Sequence, residues 1–140
     1  MLDLNAVSQY SCSGAGPGGN MSKKVLVVDD EADLRKMMKI LLGMHGFQVI
    51  EAQDGYEALE KAVAETPDLI LMDMAMPVLG GLESTRAIRH HKSLDDVPIL
   101  AVTAYGDFYA DRAREAGCTE VIRKPLDFAQ LKPLVDRYIH

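Results

Sequence analysis

From Lys23 onward the chain alternates between short apolar runs and stretches whose apolar residues recur every three or four positions. The runs are VLVV (25–28), FQVI (47–50), LILM (69–72), PILAV (98–102) and CTEVI (118–122). Three of them are apolar throughout, as expected of strands covered on both faces rather than strands with one face in water. Between the first two runs, Leu34, Met37, Met38, Leu41 and Leu42 repeat at helical spacing, which predicts a helix with one apolar face. That helix closes at MHGF, where Gly46 suits a left-handed C-terminal position. Further helices are predicted over 55–65, 82–91, 107–117 and roughly 127–139. Pro133 falls inside the last of these, where a missing backbone donor costs about 3 kcal/mol in a straight helix. A kink or a late start is therefore expected there. Five strands alternating with five helices predict an α/β fold, a doubly wound five-stranded parallel sheet with helices on both faces. In such sheets sites form beyond the carboxyl ends of the strands.

The first twenty residues break this pattern. SCSGAGPGGN (11–20) is too rich in glycine and serine to sustain a helix or strand. Residues 1–20 are expected to be a disordered leader or a remnant of expression, followed by one domain over 21–140. The net charge of −6 argues against a surface for nucleic acid. No apolar run approaches the roughly eighteen residues that a membrane span needs, and the N-terminus has no basic, then apolar, signal. Cys12 and Cys118 have no metal-like spacing, so a reducing, cytoplasmic setting is expected.

Chemistry enters where the runs end. VLVV runs directly into Asp29, Asp30 and Glu31, LILM into Asp73, PILAV into Thr103, and the fifth run is followed by Lys124 in VIRKP. Each has an ordinary explanation alone: one of Asp29 and Asp30 would cap the first helix, Thr103 the fourth, and Lys124 would be solvated. Together they meet on one edge of the sheet. Two carboxylates about 4 Å apart repel by roughly 4 kcal/mol at an effective dielectric of 20. A divalent cation with a preference for hard oxygen ligands, Mg²⁺ above all, removes that cost. Three carboxylates and one lysine sum to −2, so a site holding Mg²⁺ is neutral and has room for one dianionic group. Phosphoryl is the natural candidate, with a carboxylate as nucleophile.

VLVVDDE, LILMDMAMPVLGG, AVTAYGD and RKP resemble the motifs of the response-regulator receiver domain of two-component signalling, over residues 23–140. The resemblance implies a flavodoxin-like (βα)5 fold with strand order 2-1-3-4-5. It implies that Asp73 accepts a phosphoryl group from a sensor histidine kinase, making this a bacterial phosphoprotein. By position, Asp29, Asp30, Asp73 and the backbone carbonyl of Ala75 would hold Mg²⁺. Thr103, Lys124 and the backbone N–H of Ala104 would bind the phosphoryl oxygens, and Pro125 would follow a cis peptide bond. Tyr105 and Ala75 flank the site in this family and would modulate how fast the acyl phosphate hydrolyses. Tyr105 is expected to shield it.

One position departs from the pattern. Three residues before the lysine the family often has Tyr, Phe or His, which swings inward on phosphorylation; here it is Val121. The paired His90 and His91 diverge on a helix and make a poor metal site. The methionines 37, 38, 72, 74 and 76 are expected mostly as core or loop packing, and Cys118 as a small buried hydrophobe. Because the sequence ends at His140, no output domain is expected. The leading expectation is a stand-alone receiver that catalyses only its own phosphorylation and dephosphorylation. It would signal through the face of helix four, strand five and helix five. A shuttle to a histidine phosphotransfer domain is the alternative. A Mg²⁺-dependent phosphatase of the haloacid-dehalogenase type would need a second aspartate where Ala75 stands.

Overall fold

The computed structural model describes residues 22–76, 79–104 and 106–139. The leader 1–20 and Tyr105, singled out above, lie outside the described residues. The chain runs β1 (Lys24–Val28), α1 (Ala32–Met44), β2 (Gln48–Ala52), α2 (Gly55–Glu65), β3 (Leu69–Asp73) and α3 (Gly81–Arg89). A 3-10 turn (Lys92–Leu94) leads into β4 (Ile99–Thr103), α4 (Gly106–Ala116), β5 (Glu120–Arg123) and α5 (Phe128–Tyr138). The strands form one sheet in the order β2-β1-β3-β4-β5, all pairs parallel. Because β1 sits between β2 and β3, the strand order reverses beside its end, and the crevice for a site opens there.

Each face of the sheet has its own core. Leu26, Val28, Ile70, Met72, Ile99 and Ala101 pack with Ala58 and Ala62 of α2, Ile88 of α3 and Ala113 of α4. Val25, Val27, Leu69, Leu71 and Leu100 pack with Met38 and Leu42 of α1 and Leu131 and Val135 of α5. The period-2 geometry of a strand sends alternate residues to opposite cores, which is why the runs are apolar at every position. All five residues of β3 and of β4 are buried. Each fully buried Leu or Ile contributes about 1.5–3 kcal/mol relative to exposure.

Helix ends follow local chemistry. Asp54 caps α2, its Oδ1 accepting from Glu57 N at 2.8 Å, and Asp127 caps α5, accepting from Ala129 N at 3.0 Å. After α1, Gly46 takes φ 91°, a conformation that costs glycine little.

The structure corrects several expectations. Met37 is 48% exposed, so the apolar face of α1 is carried by Met38 and Leu42 with Leu34 and Leu41 half-buried. Spacing had placed Met37 on that face with the other four, and the helix is rotated to turn it outward. Neither Asp29 nor Asp30 occupies the cap position of α1; Glu31 does, with no side-chain cap. Pro133 lies within α5, so of the two alternatives the late start does not occur. The last strand also begins two residues later than its apolar run, at Glu120. Cys118 is buried, as expected, ahead of the strand.

Candidate functional site

The ends of β1 and β3 lie side by side, with Val28 opposite Met72, and this brings the acids together. Asp29 follows directly on β1 and is tied to the end of β2, its N–H donating to Ala52 O at 3.1 Å. Its carboxylate turns over the strand end, where Oδ1 accepts from Glu31 N at 2.9 Å. Asp73 is the last residue of β3; its Oδ1 accepts from Ala75 N at 3.1 Å and its Oδ2 lies 3.3 Å from Lys124 Nζ. One carboxylate oxygen from each of Asp29, Asp30 and Asp73 lies within 4.8 Å of the others. Asp29 and Asp73 are 4% and 3% exposed, whereas Asp30 faces solvent. Thr103 ends β4 fully buried, and Lys124 N donates to Thr103 O at 2.9 Å, so the two strand ends that flank Asp73 on the other side are tied together.

Burial without full charge compensation shows in the acids. Asp29 is pushed up to about 6 from 3.8, by burial first, with Asp73 and Asp30 repelling it; the Glu31 N–H and Lys124 offset part of this. Asp73 is raised as well, by burial first and by Asp30, against the Ala75 N–H and Lys124. One ammonium is not enough for three carboxylates. Converging hard oxygen donors with residual negative charge fit a divalent cation such as Mg²⁺, which leaves part of its shell to water. The Coulombic part of the penalty on Asp29 and Asp73 disappears with such an ion.

Ala75 and Ala104 are exposed, immediately beyond the ends of β3 and β4. The Lys124–Pro125 bond is cis, as the motif implies. Val121 pairs with Ala101 in the sheet and packs, half-buried, against the core on the α2–α3–α4 side. It is a residue of that core rather than of the carboxylate cluster.

Sequence reading missed Arg35. Its Nη1 donates to Asp29 O at 2.6 Å, while Nε lies 3.4 Å from Glu51 Oε1 in an ion pair that lacks hydrogen-bond geometry. The guanidinium therefore bridges the peptide that carries the acid pair to the neighbouring strand β2. Its position six residues after Asp29 was visible, but the reach of a long side chain across a helix end is not readable from spacing.

The sequence matches the response regulator receiver domain over residues 25–136. The chain belongs to the response-regulator receiver family. This receiver is 34% identical over 122 residues to the polar-differentiation response regulator DivK of Brucella ovis, covering 85% of this chain and 98% of that protein. Among solved structures it is similar to the chemotaxis protein CheY4 of Vibrio cholerae, with TM-score 0.80 and 33% identity over 84% of this chain and 99% of that one. It is also similar to the receiver domain of a sensor histidine kinase from Pseudomonas aeruginosa, solved with a magnesium ion coordinated in its active-site cleft. There the TM-score is 0.78 and the identity 31%, over 84% of this chain and 98% of that chain. Membership of this family, with Ala75 where a second acid would be needed, sets aside the dehalogenase-type phosphatase. Among the described residues no helix is long and apolar enough to cross a membrane.

Proposed function

We propose that this receiver takes a phosphoryl group from the phosphohistidine of a sensor kinase onto Asp73 and signals by binding a partner in that state. The observation that carries the reading is the convergence of three carboxylates within 4.8 Å with Lys124 Nζ 3.3 Å from Asp73 Oδ2. A carboxylate oxygen of Asp73 attacks phosphorus as the P–N bond to histidine breaks. The electron pair of that bond leaves on the histidine nitrogen and the new P–O bond makes an acyl phosphate. Asp29, Asp30, Asp73 and the carbonyl of Ala75 would hold Mg²⁺, which supplies positive charge to the transferring phosphoryl oxygens. Lys124 exchanges its contact with the bare carboxylate for one with a phosphoryl oxygen, and Thr103 Oγ1 and the Ala104 N–H donate to the others.

Asp29 and Asp73 sit above their ordinary carboxylate range, so part of the nucleophile's solvation is already removed before the donor arrives. A cytoplasmic place beside the kinase goes with this reading, as does the net charge of −6. Downstream, the face of α4, β5 and α5 is the recognition surface. A second reading, relay of the phosphoryl group to a histidine phosphotransfer domain, is favoured by the likeness to a receiver that belongs to a sensor kinase.

Intact-mass spectrometry after acetyl phosphate with Mg²⁺ tests the core of this. One phosphoryl group is expected on the wild type and none on Asp73→Asn. Full labelling of that variant would remove Asp73 from the role.

A further inference from the structure

Just after Asp73 the chain must turn and enter α3, and that entry is held from two sides. Gly81 N donates to Met74 O at 3.3 Å, closing the turn on itself. A side chain at Gly81 would meet Asp73 O at 2.6 Å and Met74 Cα at 2.9 Å, so α3 begins in direct contact with the peptide that follows the phosphoacceptor. Gly55, the first residue of α2, donates its N–H to Leu79 O at 3.2 Å, and a side chain there would meet that same oxygen at 2.5 Å. One more bond completes the arrangement: Ser84 Oγ, fully buried in α3, donates to Gly55 O at 3.0 Å.

This serine is not needed to satisfy the backbone. Gly55 O lies in the first turn of α2, where the helical ladder already supplies a partner, and a serine inside a helix ordinarily turns back to its own backbone four residues earlier. Here the hydroxyl reaches out to another helix instead. The bond is therefore surplus to helix formation, and its effect is positional: it fixes the start of α3 against the start of α2.

We propose that Ser84 is a positioning residue for the acid cluster, tying α3 to α2 so that the peptide after Asp73 is held where its carboxylate meets those of Asp29 and Asp30. It acts through Gly55, Leu79 and Gly81, and touches neither metal nor phosphoryl. The proposal rests on the reading of Asp73 and its neighbours as the metal-binding phosphoacceptor site. A loosened entry to α3 lets the Asp73 end of the cluster drift, and metal sites lose affinity steeply when the groups that orient their ligands are removed.

Mg²⁺ titration calorimetry and the rate of labelling by acetyl phosphate at saturating Mg²⁺ test this on wild type, Ser84→Ala and Thr85→Val. Thr85 is the control: it is as deeply buried on the same helix, but its hydroxyl faces Cys118 Sγ at 3.7 Å, away from the acids. Ser84→Ala is expected to weaken Mg²⁺ binding about 10-fold, the lower end of the range for groups that orient ligands, and to slow labelling in the same direction. Thr85→Val is expected to shift the melting temperature while keeping wild-type Mg²⁺ affinity. Wild-type affinity and rate in Ser84→Ala would overturn the proposal, as would an equal loss in Thr85→Val, which would mean general loosening of α3. A wild type that neither binds Mg²⁺ nor labels would instead bring down the functional reading on which it rests.

Discussion

β3 and β5 deliver opposite charges to one point, and they are built differently. β3 is paired on both sides, buried at all five residues, and ends on Asp73. β5 is an edge strand, paired among the described residues only with β4, and none of its four residues is fully buried. The carboxylate is therefore held by core packing on both faces, while the ammonium of Lys124, the residue immediately after β5, rests on fewer apolar contacts. Local stability follows buried contacts, so the β5 end is the part of the site that yields first. On the proposed function, a rigid carboxylate beside a cation on a softer strand would let Lys124 follow charge from carboxylate to phosphoryl without disturbing the acids.

The sharpest way to break this division is to remove the cation. Lys124→Met should slow phosphoryl incorporation by about 100- to 1,000-fold, the usual cost of losing one donor to developing charge, while Mg²⁺ binding survives. Rate measurements with acetyl phosphate alongside a Mg²⁺ titration check both; loss of metal binding would show that the two halves are not separable. Asp30→Asn is the converse. It should raise the Kd for Mg²⁺ by at least the roughly 10- to 100-fold seen when ligand-orienting groups are lost. It should also raise the melting temperature of the metal-free protein, because repulsion is relieved.

Burial of Asp29 carries a pH signature. Its pKa in the folded protein is about 6 against 3.8, so folding favours the protonated acid. That contribution is fully present below about pH 3.8 and is lost as pH rises through 6. Over that window the metal-free wild type should lose on the order of 3 kcal/mol relative to Asp29→Asn, and saturating Mg²⁺ should flatten the difference. Denaturation series at several pH values in chelator and in Mg²⁺ measure it; a gap that widens as pH falls would contradict the assignment. The smallest effect is expected at Val121. Because it packs in the core rather than in the cluster, Val121→Tyr should change Mg²⁺ affinity by less than about 2-fold, within the range of changes remote from a site. A larger shift would join β5 to the metal half.

Much of this was legible in the chain because buried parallel strands must be apolar at every position and helices at every third or fourth. β3 matched its run to within one residue, and α2 matched at both ends. β5 was read too early because Thr119 joins β4 before the strand proper, its N–H donating to Ile99 O and its Oγ1 accepting from Ile99 N. The clustering of Asp29, Asp30 and Asp73 was legible as a cost that needed an explanation. Arg35 and Ser84 were not legible. Each acts on a backbone carbonyl, Arg35 on that of Asp29 and Ser84 on that of a residue twenty-nine positions away, and a carbonyl has no identity in sequence.

The central claim is that the acid cluster holds a divalent cation and thereby lets Asp73 take a phosphoryl group. Phosphoryl incorporation from acetyl phosphate, followed across a Mg²⁺ titration and mapped to its peptide, tests it most directly. The account predicts a saturable dependence on Mg²⁺, no incorporation in chelator, and a single label on the peptide containing Asp73. Equal incorporation with and without Mg²⁺, or a label elsewhere in the chain, would contradict it.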